Sequence, residues 1–325
     1  MEQPLLLKAF ESEDVLFFEE KLDENNAEKA KDAEIISIFI NSVVSKNIIN
    51  LLPNLKFVTT RSTGFEHIDL EYCATKEIKV SNVPSYGSHT VAEFAFSLIL
   101  NLSRNIINAN NHLRDSMDFN FYSSLQGFDL QGKTLGVIGT GRIGKNVIKI
   151  ARSFEMNVLA YDLFPDINFA KENNFTYKSL LEVLEVSDIV TIHTPYTKEN
   201  YHLINKENIS KMKKGIFIIN TARGALIDTE ALIWGINEGI IAGAGLDVLE
   251  GERDFKIKNE IIGSKSSEQI DYKTIVENQI LIDMPQIIVT PHIAFYSKEA
   301  ETEIIKTTVE NIKGFISGNA QNLVK

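Results

Sequence analysis

Short apolar or β-branched runs alternate with longer polar stretches of helical character along most of this chain. In the first hundred residues the runs are 5–10, 35–40, 57–60 and 80–83, and helical segments such as 23–31 separate them. Alternation of this kind predicts a parallel sheet with crossover helices. Pro84 and Gly87 then break the pattern, and a long helical stretch follows at about 90–114. A second series starts near Leu135, where Leu-Gly-Val-Ile reads as a strand. Gly144 opens a helix with Val147, Ile150, Ala151 and Phe154 on one face. Further strands are predicted at 157–161, 189–193, 216–220, 241–246 and 287–290. Six strands with intervening helices suit a doubly wound sheet.

Two stretches near the end behave differently. Residues 253–283 mix charges with short apolar pairs and read as a surface excursion with one or two short helices. From 297 to 314, Ala300, Ile304, Ile305, Val309 and Ile312 fall on one side of an amphipathic helix. Lying after the last strand, that helix is placed to return to the first domain.

Length adds that two domains are expected, because 325 residues are long for one core. Composition is that of an ordinary soluble α/β protein, with 44% hydrophobic and 24% charged residues. A formal charge of −11 argues against a nucleic-acid partner, which needs clustered Lys and Arg. The single cysteine, Cys73, excludes an intrachain disulfide and a thiolate metal site, and no metal is expected. It reads as a buried structural thiol. No signal-peptide pattern is seen at the start. The longest apolar stretch, 91–102, carries Glu93, Ser97 and Asn101 and is too short to span a bilayer. A cytoplasmic protein without membrane contact is expected.

Gly139-Thr-Gly-Arg-Ile-Gly144 fits the G-x-G-x-x-G pattern, and it follows a strand and opens a helix as the mechanism requires. Gly139 permits the tight turn, Gly141 lets backbone approach a pyrophosphate, and Gly144 lets helix pack on strand. The next strand ends in Asp162, eighteen residues beyond Gly144. A carboxylate there accepts hydrogen bonds from ribose hydroxyls and repels a 2′-phosphate, so NAD is favoured over NADP.

Three polar residues close apolar runs in the second series: Arg223, Glu252 and His292. Of the six histidines, His112 and His202 read as solvated, and His193 as a lining of the cofactor site. His292 sits between Thr-Pro and Ile-Ala-Phe-Tyr, too apolar a setting for a solvent loop, and needs a partner. Glu252 is the expected partner, since a carboxylate bonded to the ring favours its charged form. Such a His can give a proton to a ketone and take it back. Arg223 suits carboxylate anchoring, because its planar fork binds two oxygens and stays charged.

Several stretches together resemble the D-isomer-specific 2-hydroxyacid dehydrogenase family over nearly the whole chain. They are Arg-Ser-Thr-Gly-Phe-Glu-His-Ile-Asp at 61–69, Asn-Val-Pro-Ser-Tyr-Gly at 82–87 and Thr-Val-Ala-Glu at 90–93. The Gly-rich turn, Asn-Thr-Ala-Arg-Gly at 220–224, Gly-Leu-Asp-Val-Leu-Glu-Gly-Glu at 245–252 and Thr-Pro-His-Ile-Ala-Phe-Tyr at 290–296 complete the set. The resemblance implies two Rossmann/flavodoxin-like doubly wound parallel-sheet domains with the active site in the cleft between them. A discontinuous substrate domain, 1–100 with 297–325, would flank an NAD-binding Rossmann domain at 101–296.

The resemblance also implies a small 2-keto or 2-hydroxy acid substrate, an Arg223/Glu252/His292 catalytic set and a homodimer. NAD contacts would come from Gly139, Gly141, Arg142, Ile143, Gly144, Asp162, His193, Thr194, Pro195, Asn200, Thr221, Ala222, Arg223 and Asp247. Ser62, Thr63, Gly64, Tyr86 and Tyr296, with Arg223, would face the substrate. Residues 91–102 are a candidate for dimer packing, or else an ordinary intrachain helix. The long interval from Glu252 to His292 looks like the D-lactate dehydrogenase branch, whereas Arg61-Ser-Thr-Gly and Tyr86-Gly-Ser-His depart from it. A second reading is a nucleotide-sensing scaffold that resembles the C-terminal-binding-protein corepressors.

Overall fold

Two units account for the residues that the computed structural model describes, 2–252 and 271–324. One is Met1–Gly87 with Tyr296–Lys325, and the other is Ser88–Phe295.

In the first unit, β1 (Ile35–Ile38), β2 (Phe57–Thr60) and β3 (Lys79–Ser81) pair in parallel in the order β1-β2-β3. The crossovers run through helices Lys46–Leu51 and Leu70–Thr75, capped by the Ser45 and Asp69 side chains. Cys73 is buried in the second of these, and burial pushes its thiol up to about 11. The expected strand at 5–10 is instead the helix Glu2–Ala9. Leu6, Ala9 and Phe10 recur at helical spacing and pack in one cluster with Phe57 and Ile312, so the apolar run serves a helix face. The helical segment expected at 23–31 is reduced to a single turn, Ala27–Ala30.

The amphipathic helix at the chain's end is Lys298–Ile316, and it does return to this unit. It buries Ala300, Ile304, Ile305 and Ile312, and Phe315 stacks on Phe57 with ring centroids 4.4 Å apart.

The expected boundary near residue 100 falls inside the helix Ser88–Arg104, which belongs wholly to the second unit. Leu98 lies against Gly245, where a Cβ would come within 2.9 Å of it, and Phe96 stacks on Phe154. Division of the chain therefore precedes the helix. The long helix expected at 90–114 is broken at Asn105, whose φ of 51° ends one helix before Ile106–Ser116 begins.

The second unit has a seven-stranded parallel sheet. Its strands are β4 (Thr134–Ile138), β5 (Asn157–Tyr161), β6 (Thr176–Tyr177), β7 (Ile189–Ile192), β8 (Ile216–Asn220), β9 (Ile241–Leu246) and β10 (Ile287–Val289). Their order is β10-β9-β8-β7-β4-β5-β6, which reverses between β4 and β7. Sequence patterning missed β6 because two residues carry no period. Since all pairs are parallel, the carboxyl ends of the strands share one edge, where ligands bind in such sheets. Part of the predicted 253–283 excursion, 253–270, lies outside the described residues; its end forms the helix Tyr272–Asp283. Among the described residues no helix is long and apolar enough to cross a membrane.

Candidate active site

Arg223 follows β8, Asp247 and Glu252 follow β9, and His292 follows β10. These three strands are neighbours, and adjacent strands lie ~4.8 Å apart, so the three chain exits fall within ~10 Å of one another. Sheet topology alone thus gathers groups as far apart in sequence as Arg223 and His292.

His292 Nδ1 lies 2.8 Å from Glu252 Oε1, with the side chains 20% and 30% exposed. The backbone at His292 is left-handed, φ 58°, a conformation that a non-glycine residue holds only with support. Asp247 supplies it. The Asp247 carboxylate, 1% exposed, accepts bonds from Thr290 Oγ1 at 2.5 Å, Ile293 N–H at 2.9 Å and Ala294 N–H at 2.8 Å. Burial raises its carboxyl above the usual range, against the lowering effect of those bonds.

The loop carrying Arg223 is shaped by buried Asn220, which accepts from Ala222 N–H at 3.0 Å and donates to the Arg223 carbonyl at 2.9 Å. A Cβ on Gly224 would sit 2.0 Å from the carbonyl carbon of Leu249. Only glycine lets this loop press against the one that leads to Glu252.

The other half of the edge fits a dinucleotide. A Cβ on Gly139 would meet Thr194 N at 2.7 Å, and one on Gly144 would meet the Gly139 carbonyl oxygen at 2.0 Å. At Gly141 it would meet open space, as expected where a pyrophosphate approaches. Gly141 caps the helix Arg142–Ser153 without any side-chain bond, leaving first-turn N–H groups for an anion. Asp162 accepts from Thr140 N–H at 2.6 Å, Thr140 Oγ1 at 2.8 Å and Phe164 N–H at 2.8 Å. Tyr177 hydroxyl, at the end of β6, lies 2.8 Å from Thr140 Oγ1. Thr221 Oγ1 is buried with no hydrogen-bond partner among the described residues, an orphan that a ligand can satisfy.

Other expected contacts stand as follows. Arg142 and Pro195 are exposed, and Ile143, Thr194 and Ala222 half-buried. Asn200 spends its side chain on its own turn, accepting from Thr197 N–H and donating to the Pro195 carbonyl. The His193 ring is buried and bonded to Thr191 Oγ1 at 2.8 Å, and burial pushes it down to about 3, so it is neutral. Its backbone, rather than its ring, abuts Gly139.

In the first unit, Ser62 Oγ donates to the Gly64 carbonyl at 2.6 Å, and Thr63 Oγ1 to the Val83 carbonyl at 3.0 Å. The first bond shapes the loop itself, and the second ties it to the segment after β3. Tyr86 is half-buried and Tyr296 exposed.

Sequence reasoning missed several supports: Thr140 and Tyr177 beneath Asp162, Asn220 beneath Arg223, and Thr290 against Asp247. It also misread His202, which is half-buried and paired with a carboxylate. His202 Nε2 lies 2.6 Å from Glu250 Oε1 and its ring stacks on Tyr201. The available signal was the first carboxylate in Leu-Glu-Gly-Glu, Glu250, which stands two residues before Glu252. The helix over 91–102 packs mainly within its own unit, burying Ala92, Ala95, Leu98 and Ile99.

Residues 96–294 match the family model for the NAD-binding domain of D-isomer-specific 2-hydroxyacid dehydrogenases. An aromatic 2-oxoacid reductase of Clostridium sporogenes is 39% identical, covering 92% of this chain and 88% of its own. The D-lactate dehydrogenase of Escherichia coli is 36% identical, over 93% and 89% respectively. A crystal structure of D-lactate dehydrogenase from Aquifex aeolicus, complexed with NAD and lactic acid, superposes with a TM-score of 0.85 at 36% identity. That likeness covers 97% of this chain and 92% of the other. The protein therefore belongs to the D-isomer-specific 2-hydroxyacid dehydrogenases, NAD-dependent oxidoreductases that act on the CH–OH group of D-2-hydroxy acids.

Proposed function

We propose that this protein interconverts a small 2-keto acid of the pyruvate type and its D-2-hydroxy acid, with His292 as acid and base. The observation that carries the reading is the 2.8 Å pair between His292 Nδ1 and Glu252 at the carboxyl edge of the sheet. Bound NAD supplies the hydride chemistry. The chain's own residues do the rest. The pair engages Nδ1, so Nε2 is the nitrogen that gives a proton to the keto oxygen and takes it back in the reverse direction. Glu252 stabilises the ring while it is charged. Arg223 grips the substrate carboxylate with two parallel N–H groups and polarises the carbonyl beside it.

For the cofactor, the turn Gly139–Gly144 and the first turn of the helix after it hold the pyrophosphate. Asp162 takes the ribose hydroxyls and Asp247 the nicotinamide end. Arg142, Ile143, Thr194, Pro195, Asn200, Thr221 and Ala222, with the His193 backbone, complete that contact. Backbone N–H groups of Ser62, Thr63 and Gly64, with Tyr86 and Tyr296, are assigned to substrate selection. Relatives named for lactate and for aromatic 2-oxo acids both support a 2-keto acid and leave chain length to experiment.

A homodimer is part of the proposal. A groove of about 370 Å³ opens on the helix Ser88–Arg104, its lining mixing Phe96, Leu100 and Ile150 with polar groups that include Glu93 and Lys149. On the segment that follows, Met117, Phe119 and Phe121 are 84%, 90% and 95% exposed, apolar surface suited to a second copy. Sedimentation at micromolar concentration tests it, and a monomer contradicts it.

The function is tested by NADH oxidation with pyruvate, 2-ketoisocaproate, phenylpyruvate, hydroxypyruvate and glyoxylate, repeated with NADPH. Turnover with NADH and at least one of these acids is expected. A scaffold that only senses the nucleotide would give none.

A further inference from the structure

Glu250 stands two residues before Glu252 and takes no part in the chemistry above, yet its carboxylate is among the most heavily engaged in the second unit. Oε1 accepts from Tyr201 hydroxyl at 3.1 Å and lies 2.6 Å from His202 Nε2. Oε2 accepts from Thr229 Oγ1 at 2.9 Å and Thr229 N–H at 3.3 Å. The Glu250 carbonyl accepts from Asn278 Nδ2, itself buried, at 2.8 Å. The side chain is only 16% exposed.

Each partner comes from a different stretch. Tyr201 and His202 lie on the turn after β7, Thr229 opens the helix Thr229–Asn237, and Asn278 sits in the helix Tyr272–Asp283. His202 is held in the left-handed region, φ 52°, its N–H donating to the Ala225 carbonyl at 3.0 Å. Ala225 is two residues past Arg223. Gly224 touches Leu249 with no room for a Cβ. Between Glu250 and Glu252 there is only Gly251, itself left-handed at φ 61°. A carboxylate tied at four donors therefore fixes where the chain leaves for Glu252, and it fixes it against the loop that carries Arg223.

We propose that Glu250, gripped by His202, Tyr201 and Thr229, is a positioning residue that sets Glu252 at bonding distance from His292 and in register with Arg223. The proposal rests on the assignment of Glu252 and His292 as the proton-transfer pair. Charged groups around the clamp are Asp228, whose Oδ2 is 3.7 Å from His202 Nδ1, and Glu277, which feels Glu250 electrostatically.

A residue that acts through another loses its effect when the other is gone, and that separates positioning from general support of the fold. The test compares wild type, Glu250→Ala, Glu252→Ala and the double variant in kcat, in KM for the keto acid, and in NADH affinity from fluorescence titration. Expected is a fall in kcat of about tenfold for Glu250→Ala, with NADH affinity within about twofold of wild type. The double variant should be no slower than Glu252→Ala alone. Multiplying losses, an unchanged kcat, or NADH binding lost in parallel with kcat overturn the proposal.

His202→Gln, a milder change at the other end of the clamp, gives the same reading should Glu250→Ala fail to fold. It should lower kcat in the wild-type background and not in Glu252→Ala. Absence of turnover by the wild type with every acid refutes the functional reading itself. Normal wild-type turnover with independent, multiplying variants refutes the clamp alone.

Discussion

Replacing Glu252 by Gln leaves the shape of the side chain and an oxygen able to accept from His292 Nδ1, and it removes the negative charge. The contact is 2.8 Å and the two side chains are 20% and 30% exposed, so the pair is partly screened but not a surface pair. A hydrogen bond to a charged group contributes about 1.5–3 kcal/mol and a neutral one about 0.5–1.5 kcal/mol. The substitution therefore costs about 1–1.5 kcal/mol wherever the ring carries its proton, roughly tenfold in rate. In the direction of hydroxy-acid oxidation the ring gains that charge as it takes the proton, so the loss falls on kcat. KM for NAD should stay within about twofold, because Glu252 is not assigned to the cofactor. Steady-state NADH formation at saturating NAD reads both values. In a His292→Gln background the same substitution should cost nothing further. A kcat within twofold of wild type, or an equal loss in that background, would refute the argument.

Three other changes test separate parts of the account. Gly144→Ala puts a Cβ 2.0 Å from the Gly139 carbonyl oxygen, both of them backbone-bound, and overpacking of this kind costs about 1–3 kcal/mol. The melting temperature should fall by several degrees in a scanning measurement, and an unchanged value would mean that the turn yields freely. Asp162→Asn removes the charge that repels a 2′-phosphate, worth ~1 kcal/mol or more at close range. The ratio of NADPH to NADH efficiency should rise, and a fixed ratio contradicts the ribose assignment. His193 sits near 3 in the fold against 6.5 for an ordinary ring, so the unfolded chain takes up its proton first. Its contribution to stability is full above 6.5 and is lost as pH falls toward 3, by up to ~1.4 kcal/mol per unit. Urea midpoints between pH 7 and 4 should fall less steeply for His193→Gln than for wild type; equal slopes contradict a buried neutral ring.

What was legible in the sequence was whatever repeats or closes a pattern. Most strands of the second unit stood out because they are short apolar runs, such as Ile216–Asn220 and Ile189–Ile192, bounded by turn residues, and Arg223 and His292 were conspicuous as polar ends of such runs. Residues 5–10 misled because a short, mostly apolar run fits a strand as readily as a helix face. Only the packing of Leu6, Ala9 and Phe10 with Phe57 and Ile312 decides that they form a helix. β6 is two residues long and exists through its pairing with β5.

His202 illustrates a different limit. A histidine in a polar loop looks solvated until the fold brings Glu250, forty-eight residues away, within 2.6 Å of it. The same holds for Tyr177 and Thr140, which meet only because β6 lies beside β5. Supports of an active site are long-range contacts made by ordinary polar residues, and local spacing does not reveal them.

The central claim is that His292, paired with Glu252, moves the proton while a 2-keto acid is reduced with NADH. It is tested most directly by following NADH absorbance with pyruvate and the longer 2-keto acids for wild type and His292→Gln side by side, after equal NADH binding has been established for both. Turnover by the wild type to the D-hydroxy acid is expected, with a loss of about a hundredfold or more in the variant. Full turnover by His292→Gln would contradict it.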